Sequence, residues 1–282
     1  RHHEIRSVLA FVAIAYAVSW AIWLTGILSM DGLTGIEDER FTAFLLAGSF
    51  GPTVAALVMA GFTGGRSSIV SLLKRLVLVR VDWRVYFVTF FLMPIIGMVL
   101  YLGLGISAKI APWKIATTMI ALVPVNALLG GVIFGFGPLG EEMGWRGFLQ
   151  SRLLSRLNSV TTAVVVGLVW AFWHLPAFGF ADFRNGLDWP QFVVLYPISV
   201  IPVAFIMGHL WRWSNGSLFI AIFFHGVLNT TAVNLIRDNW CDFGELTAVQ
   251  TYSVIIAIFA LTACVCELLS RRAFRHSANR SN

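Results

Sequence analysis

The sequence is poor in charged residues and in cysteine. Only 12% of its 282 residues are charged, whereas a soluble domain carries about a quarter. Hydrophobic residues make up 58%, and the mean hydropathy is +0.80. These values exclude an ordinary soluble domain and predict an all-α polytopic membrane protein. Three scattered cysteines are too few for a disulfide framework.

Several catalytic and nucleotide-binding motifs are also absent. The chain has no H-E-x-x-H, which excludes a zincin site with both histidines on one helix. It has no G-x-S-x-G elbow, no P-loop and no dinucleotide fingerprint. No internal repeat or low-complexity segment divides the chain. We therefore predict a single membrane-embedded domain over residues 1–282.

Apolar segments long enough to cross a bilayer, which takes roughly 20 residues, recur along the chain. We predict eight transmembrane helices from them. Their expected ranges are 7–30, 41–63, 85–107, 115–137, 159–178, 191–210, 217–236 and 248–269.

The basic residues lie mainly on one side of these spans. With this arrangement, 15 of the 20 Lys and Arg fall on the side that holds both chain ends. Because cytoplasmic loops are enriched in Lys and Arg, both termini are expected in the cytoplasm, at a prokaryotic cytoplasmic membrane. The net charge of +6 thus reflects contact with the lipid bilayer and not with nucleic acid. Two connections on this side, Ser67–Val81 and Gly140–Leu157, are predicted to be amphipathic helices.

Two glutamates and an arginine interrupt an otherwise apolar stretch. Ionisable residues near hydrocarbon are costly, so Glu141, Glu142 and Arg146 are functional candidates. Glu142 and Arg146 are four residues apart and are expected to form an ion pair. Glu141 is turned by about 100° from Glu142 and points elsewhere, as a solvated carboxylate or a functional one. Pro138 and its neighbouring glycines predict that a new helix begins just before Glu141.

Three further polar residues lie inside predicted spans. His174 ends the fifth span, and His225 and Asn229 share one face of the seventh. Each alone is compatible with helix packing. Together with Glu141 they provide a general base, two imidazoles and an amide donor, which suits water activation with oxyanion stabilisation. Glu141, His174 and His225 would also suit a divalent metal such as zinc, and both alternatives stay open.

The order of these residues resembles the three motifs of a known family. The motifs here are Glu141-Glu142-x-x-x-Arg146, Trp170-x-x-x-His174 and His225-x-x-x-Asn229. They resemble the CPBP intramembrane proteases, which include type II CAAX prenyl endopeptidases, bacteriocin-processing enzymes and abortive-infection proteins. The resemblance covers about 138–230 and extends to the eight-span layout. Trp170 stands where the family usually has Phe, and we expect altered packing around His174 with activity retained.

The resemblance implies an intramembrane endopeptidase that acts on a prenylated or otherwise membrane-associated hydrophobic peptide. Glu141 would activate water with help from His174. His225 and Asn229 would stabilise the oxyanion. Two other functions use the same polar residues: a non-catalytic immunity or scaffold protein, and a transporter. The motifs do not decide between a bound metal and water activation without one, and they say nothing of oligomeric state.

The depth of Glu141 raises a difficulty. The predicted spans place Glu141 and His174 at opposite ends of the membrane. They can meet if the fourth span breaks near Gly137, which brings Glu141 to depth, or if the fifth span continues beyond a buried His174. We expect a water-filled cavity that is open to the cytoplasm, lined by the irregular backbone of Gly135–Gly140.

Overall fold

The structure is a computed structural model. It describes residues 2–29, 39–103, 107–108, 117, 121, 123–129, 137–176, 186–232, 241–242 and 246–280.

Helices form almost all of the described chain, as the sequence predicts. The helices are α1 His2–Ser29, α2 Glu39–Ser49, α3 Gly51–Lys74 with a 3-10 turn Arg75–Val77, α4 Trp83–Gly103, α5 Val123–Ala127, α6 Pro138–Glu142, a π-helix Met143–Gln150, α7 Ser151–Leu154, α8 Ser159–Trp173, α9 Trp189–Trp213, α10 Leu218–Ala232 and α11 Ala248–Arg280. Two short strands, β1 Ser107–Ala108 and β2 Cys241–Asp242, pair antiparallel with Ser107 opposite Asp242.

Seven of the eight predicted spans coincide with described helices. Four stretches have the length and composition to cross a membrane, and three further helices are apolar but shorter. The four long stretches are Glu4–Ser29, Thr42–Val77, Trp189–Trp213 and Ala248–Ser270; the shorter helices are Trp83–Val99, Ser159–Trp173 and Leu218–Thr231. Most of the predicted fourth span, 115–137, lies outside the described residues. The chain is an integral membrane protein with a polytopic helical fold.

The first predicted amphipathic helix is present but shorter than expected. Gly65 has φ +61° and ψ −155°, which breaks α3 into a buried part and a following exposed part. Because only glycine adopts this backbone readily, the direction change is fixed at that residue. The helix then ends at Lys74 and a 3-10 turn to Val77, so the prediction that it extends to Val81 is wrong.

The second predicted amphipathic helix, Gly140–Leu157, is helical only as far as Leu154, so its predicted end is wrong, and its first part does not face solvent. Met143–Gln150 is buried at every position, including Arg146. Glycines on one side of this segment allow it to approach α3 closely. A Cβ at Gly140 would lie 2.7 Å from the carbonyl oxygen of Ser49, and one at Gly144 only 2.4 Å from the Pro52 ring. The spacing of these two glycines is the small-xxx-small pattern that packs membrane helices.

The first helix fixes the far end of α8 against the buried segment. The Trp20 indole donates to the backbone carbonyl of Trp173 at 2.8 Å, and Tyr16 donates to Val169. The Trp173 ring packs edge-on against Trp145 of the π-helix, with centroids 5.5 Å apart. Aromatic packing therefore sets the distance between the end of α8 and the segment that carries the glutamates.

Candidate active site

The helix that carries Glu141 begins inside the helical bundle. Gly137 adopts φ +73°, a conformation that glycine tolerates, and Pro138 occupies the first helical turn, where no N–H is needed. Glu141 follows at once and is 5% exposed. It contacts Trp170, which lies about 16 Å along α8 from Ser159 at about 1.5 Å per residue.

This position removes the difficulty posed by the predicted spans. Glu141 meets the last turn of α8, the end that carries His174. Of the two solutions considered, the helix break before Glu141 is the one that the structure shows at Gly137. Residues 135–136 of the predicted cavity lining lie outside the described residues, and the water-filled cavity itself stays a prediction.

Glu142 is at the centre of a buried charge network. Its Oε1 accepts a hydrogen bond from Nη1 of Arg146 at 2.9 Å, which confirms the ion pair expected from their spacing. The same oxygen lies 2.9 Å from Nδ1 of His225 on α10. Glu142 and Arg146 are fully buried and His225 is 3% exposed. Glu142 therefore does more than support the helix, because it also orients one of the two histidines.

The Glu142 contact determines which nitrogen of His225 faces the site. A carboxylate only accepts hydrogen bonds, so Nδ1 of His225 carries the proton. In the neutral ring Nε2 then holds the lone pair, and it donates only when the ring carries both protons. The cluster contains two carboxylates, Glu141 and Glu142, and one guanidinium, Arg146.

Trp170 connects Glu141 to the same network. Its indole N–H donates to Oε2 of Glu141 at 2.7 Å. The Arg146 guanidinium lies over the indole ring, 4.5 Å from its centroid, in a cation–π contact. The ring also packs edge-on against His225 at 5.1 Å. Phenylalanine could shield a histidine in this position, but it could not donate the hydrogen bond to Glu141.

His174 lies at the end of α8, where three aromatic rings surround it. Its Nδ1 is 2.8 Å from the carbonyl of Trp170, so Nδ1 donates and Nε2 is the accepting nitrogen of the neutral ring. The Trp170 ring, whose indole holds Glu141 and packs against His225, lies 6.1 Å from the His174 ring between centroids. The rings of Trp173 and Tyr196 pack edge-on against it at 4.7 and 5.8 Å.

Six of the seven predicted site residues are therefore close together in space. They are Glu141, Glu142, Arg146, Trp170, His174 and His225. Asn229 is on the same helix as His225, one turn further on, but it is exposed and takes part in none of the hydrogen bonds described above. Its predicted role in the oxyanion site requires a substrate that reaches the exposed side of α10.

Two features of the site have no counterpart in the predictions. The glutamate-bearing segment continues as a π-helix from Met143 to Gln150, and π-helical turns occur frequently at functional sites. The hydrogen bond between Trp170 and Glu141 was also not foreseen. The sequence carried one signal of this bond. Trp170 stands where the family usually has Phe, and a tryptophan ring has an N–H donor that a phenylalanine ring lacks.

The histidines and Glu141 do not form a preassembled metal centre. Among the described residues, no three His, Cys, Asp or Glu side chains lie close enough together to hold one ion. The Nδ1 contacts of the two histidines do not bear on this point, because they leave Nε2 of each ring as the nitrogen that could bind an ion. The arrangement does not fit the three-ligand zinc site considered above. It fits a carboxylate that activates water beside an accepting imidazole.

Comparison with known proteins relates the chain to a family of membrane proteases. Residues 123–231 match the family described as type II CAAX prenyl endopeptidase Rce1-like. The chain is 22% identical over 225 residues to CAAX prenyl protease 2 of Methanococcus maripaludis, a match that covers 76% of this chain and 79% of that protein. It is 23% identical over 167 residues to lysostaphin resistance protein A of Staphylococcus haemolyticus. That match covers 59% of this chain and only 42% of the relative.

The matched residues contain all three motifs and every residue of the network. The segment extends from α5 to α10, and both histidines, both glutamates and Arg146 lie within it. The homology supports a membrane protease of the CAAX type in general. Residues 123–231 are therefore similar to the Rce1-like type II CAAX prenyl endopeptidase family.

Proposed function

We propose that this protein is an intramembrane endopeptidase that hydrolyses a peptide bond in a prenylated CAAX-type or other membrane-associated peptide. The observation that carries the proposal is that two adjacent glutamates have different partners. Glu142 is engaged by Arg146 and His225, whereas Glu141 is held by Trp170, whose ring also contacts His174. Glu141 and His174 thus share one tryptophan as a neighbour.

The chemistry starts with a water molecule between Glu141 and Nε2 of His174. Glu141 removes one proton from the water as its oxygen attacks the scissile carbonyl carbon. The carbonyl oxygen becomes an oxyanion. The proton on Glu141 then passes to the leaving nitrogen, and the C–N bond breaks. His174 accepts a hydrogen bond from the attacking oxygen throughout and assists the proton transfer.

His225 would stabilise the oxyanion in its doubly protonated form. Its Nδ1–H is bonded to Glu142, so the second proton on Nε2 is the one available to the substrate. Asn229 would add an amide donor from the exposed end of the same helix. Glu142 acts through His225, and Arg146 holds Glu142.

The site's environment suits a lipid-modified substrate. Glu141 and Glu142 lie at depth among helices whose other residues are mostly apolar. A peptide attached to a lipid anchor would be held near such a site without a soluble binding cleft. We propose that the basic end of the bundle, with both termini, faces the cytoplasm. A labelling reagent that reaches a cysteine added at either terminus only from outside the cell would contradict this orientation.

The experiment is a cleavage assay with purified protein in lipid vesicles. The substrates are a farnesylated peptide ending in a CAAX sequence, the same peptide without the prenyl group, and a soluble peptide. We expect cleavage of the farnesylated peptide, and none by the Glu141→Gln variant, which excludes a contaminating protease. Failure of the wild-type protein to cleave any peptide of the panel, prenylated or not, would contradict the proposal.

A matched control separates base catalysis from loss of charge. Glu4 is a partly exposed glutamate of α1 that pairs with Arg156 at the surface. Glu4→Gln makes the same chemical change away from the site, and we expect wild-type activity. A non-catalytic scaffold function, in contrast, predicts that the cellular phenotype survives Glu141→Gln.

A further inference from the structure

The segment that follows Gly65 turns away from the membrane-spanning part of α3. A Cβ on Gly61 would lie 3.5 Å from Cδ1 of Ile69. In a straight helix these two residues would be about 12 Å apart along the axis, so the contact depends on the change of direction at Gly65. Residues 66–77 therefore do not prolong the span. They lie at its end, which is where the lipid headgroups of a bilayer begin.

The exposed side of this segment combines apolar and basic residues. They recur every three or four positions, so they share one face: Arg66, Val70, Leu73, Lys74 and Val77. Leu72, on the opposite face, is buried against the rest of the protein. At a membrane surface the apolar side chains of such a face reach the acyl chains, and the long basic side chains extend to the phosphates.

The connection between α3 and α4 carries a strong positive charge. Residues 64–84 contain five Lys and Arg and one acidic residue, Asp82. Four of the cations are exposed and form what we call the basic surface: Arg66, Lys74, Arg80 and Arg84. None of these four side chains is in an ion pair with another described residue. Their charges are therefore available to an anion from outside the protein.

An apolar groove begins next to the basic surface. It lies between α4, α5 and α10 and has a volume of about 270 Å³. Val79, the neighbour of Arg80 in the chain, lines one part of it, and Phe90 and Phe223 line another with ring centroids 4.7 Å apart. Tyr86 also lines the groove, but its hydroxyl donates to the Val79 carbonyl at 2.6 Å. Such a lining suits a hydrocarbon chain.

We propose that the basic surface and the groove together bind an anionic phospholipid. The lipid phosphate contacts Arg80 and Arg84, and one acyl chain enters the groove beside Val79. Arg66 and Lys74 attract further anionic headgroups to the same surface. A zwitterionic lipid with the same chains would fill the groove equally well, so the cations give the site its preference for negative charge. The site uses none of the proposed catalytic residues, and its occupation does not require peptidase activity.

The test titrates the purified protein in detergent with dioleoyl phosphatidylglycerol or dioleoyl phosphatidylcholine and counts bound lipids by native mass spectrometry. We expect phosphatidylglycerol to bind about 30-fold more tightly, because each Lys or Arg at an anionic surface contributes about fivefold. Arg80→Gln/Arg84→Gln should abolish this difference. Arg6→Gln/Arg156→Gln, which removes two exposed charges elsewhere, should preserve it. Equal affinities of the wild type for the two lipids, or equal effects of the two double variants, would overturn the proposal.

A second pair of variants tests the position of the acyl chain. Val125 lines the groove and is 51% exposed, whereas Val160 of α8 lies outside it and is 52% exposed. Val125→Trp fills the groove and should weaken binding of both lipids about tenfold, the effect of losing contact with two methylene groups. Val160→Trp should bind like the wild type. Unchanged binding by Val125→Trp would overturn the groove as the lipid seat. Displacement of the lipid by glycerol phosphate, which has no acyl chains, would instead reveal a site for free phosphate and reject the lipid.

Discussion

The buried ion pair between Glu142 and Arg146 allows a quantitative test of how the site is held together. Both side chains are fully buried, and their bond is 2.9 Å long. This bond uses Nη1 of Arg146. The other two guanidinium nitrogens, Nε and Nη2, have no hydrogen-bond partner among the described residues. Replacing Glu142 by Gln therefore leaves a guanidinium with no compensating charge beyond Glu141 and the Trp170 ring.

The expected cost follows from burial. Removing one partner of a buried ion pair costs about 3–5 kcal/mol, a large share of a typical stability of about 5–15 kcal/mol. We expect this loss for Glu142→Gln and for Arg146→Gln. The double variant Glu142→Gln/Arg146→Gln combines the two single changes and removes both charges of the pair. Because neither of the two charges is then left buried without the other, the double variant should lose less stability than the sum of the two single variants.

The assay is reversible unfolding in mixed detergent micelles, analysed as a double-mutant cycle. The surface pair of Arg156 and Glu4, with side chains 56% and 45% exposed, is the control within the same chain. Glu4→Gln should cost no more than about 1 kcal/mol, because exposed pairs contribute little. Additive effects of the two buried substitutions, or a cost for Glu142→Gln as small as for Glu4→Gln, would refute the reasoning.

Further predictions concern helix packing, Trp170 and metal dependence. Gly144→Ala places a Cβ 2.4 Å from Pro52 and should lower the unfolding free energy by about 1–3 kcal/mol. Gly61→Ala is the control, because its Cβ would lie 3.5 Å from the nearest neighbouring atom and should not destabilise the helix. Equal effects of the two substitutions would contradict the close approach at Gly144. Trp170→Phe should lower the unfolding free energy by about 1.5–3 kcal/mol, because it removes a hydrogen bond to the charged Glu141. An unchanged unfolding free energy would show that this bond contributes nothing to stability. Cleavage should persist in a strong chelator because the described ligand geometry does not fit an ion; loss of activity that zinc restores would reverse this conclusion.

Most of the fold could be predicted from the sequence because hydropathy and length determine membrane spans. The break before Glu141 was also predictable, because Gly137 and Pro138 are local signals of a helix start. The burial of 143–150 was not. Arg146 predicts a polar face, but it is paired inside the bundle with Glu142. The position of this pair depends on the packing of Gly140 against the end of α2 and of Gly144 against the start of α3.

The residues of the site could be predicted from the sequence, but most of the contacts between them could not. Helical spacing correctly joined Glu142 to Arg146, because both residues are on one helix. The same spacing separated Glu142 from the histidines, and the structure joins Glu142 to His225 across 83 residues of sequence. Spacing also placed Asn229 beside His225, yet Asn229 lies on the exposed side. Contacts between helices depend on how each helix is rotated about its axis and where it lies along the bundle. Local sequence patterns do not determine either.

The central claim is that Glu141 performs the chemistry and Glu142 holds the structure. The most direct test measures kcat and unfolding free energy for Glu141→Gln, whose side-chain oxygen can still accept from Trp170. The account predicts a fall in kcat of about 10²–10⁴-fold, the usual contribution of a general base, with an unfolding free energy close to that of the wild type. A Glu141→Gln protein that cleaves the farnesylated peptide at the wild-type rate would contradict it.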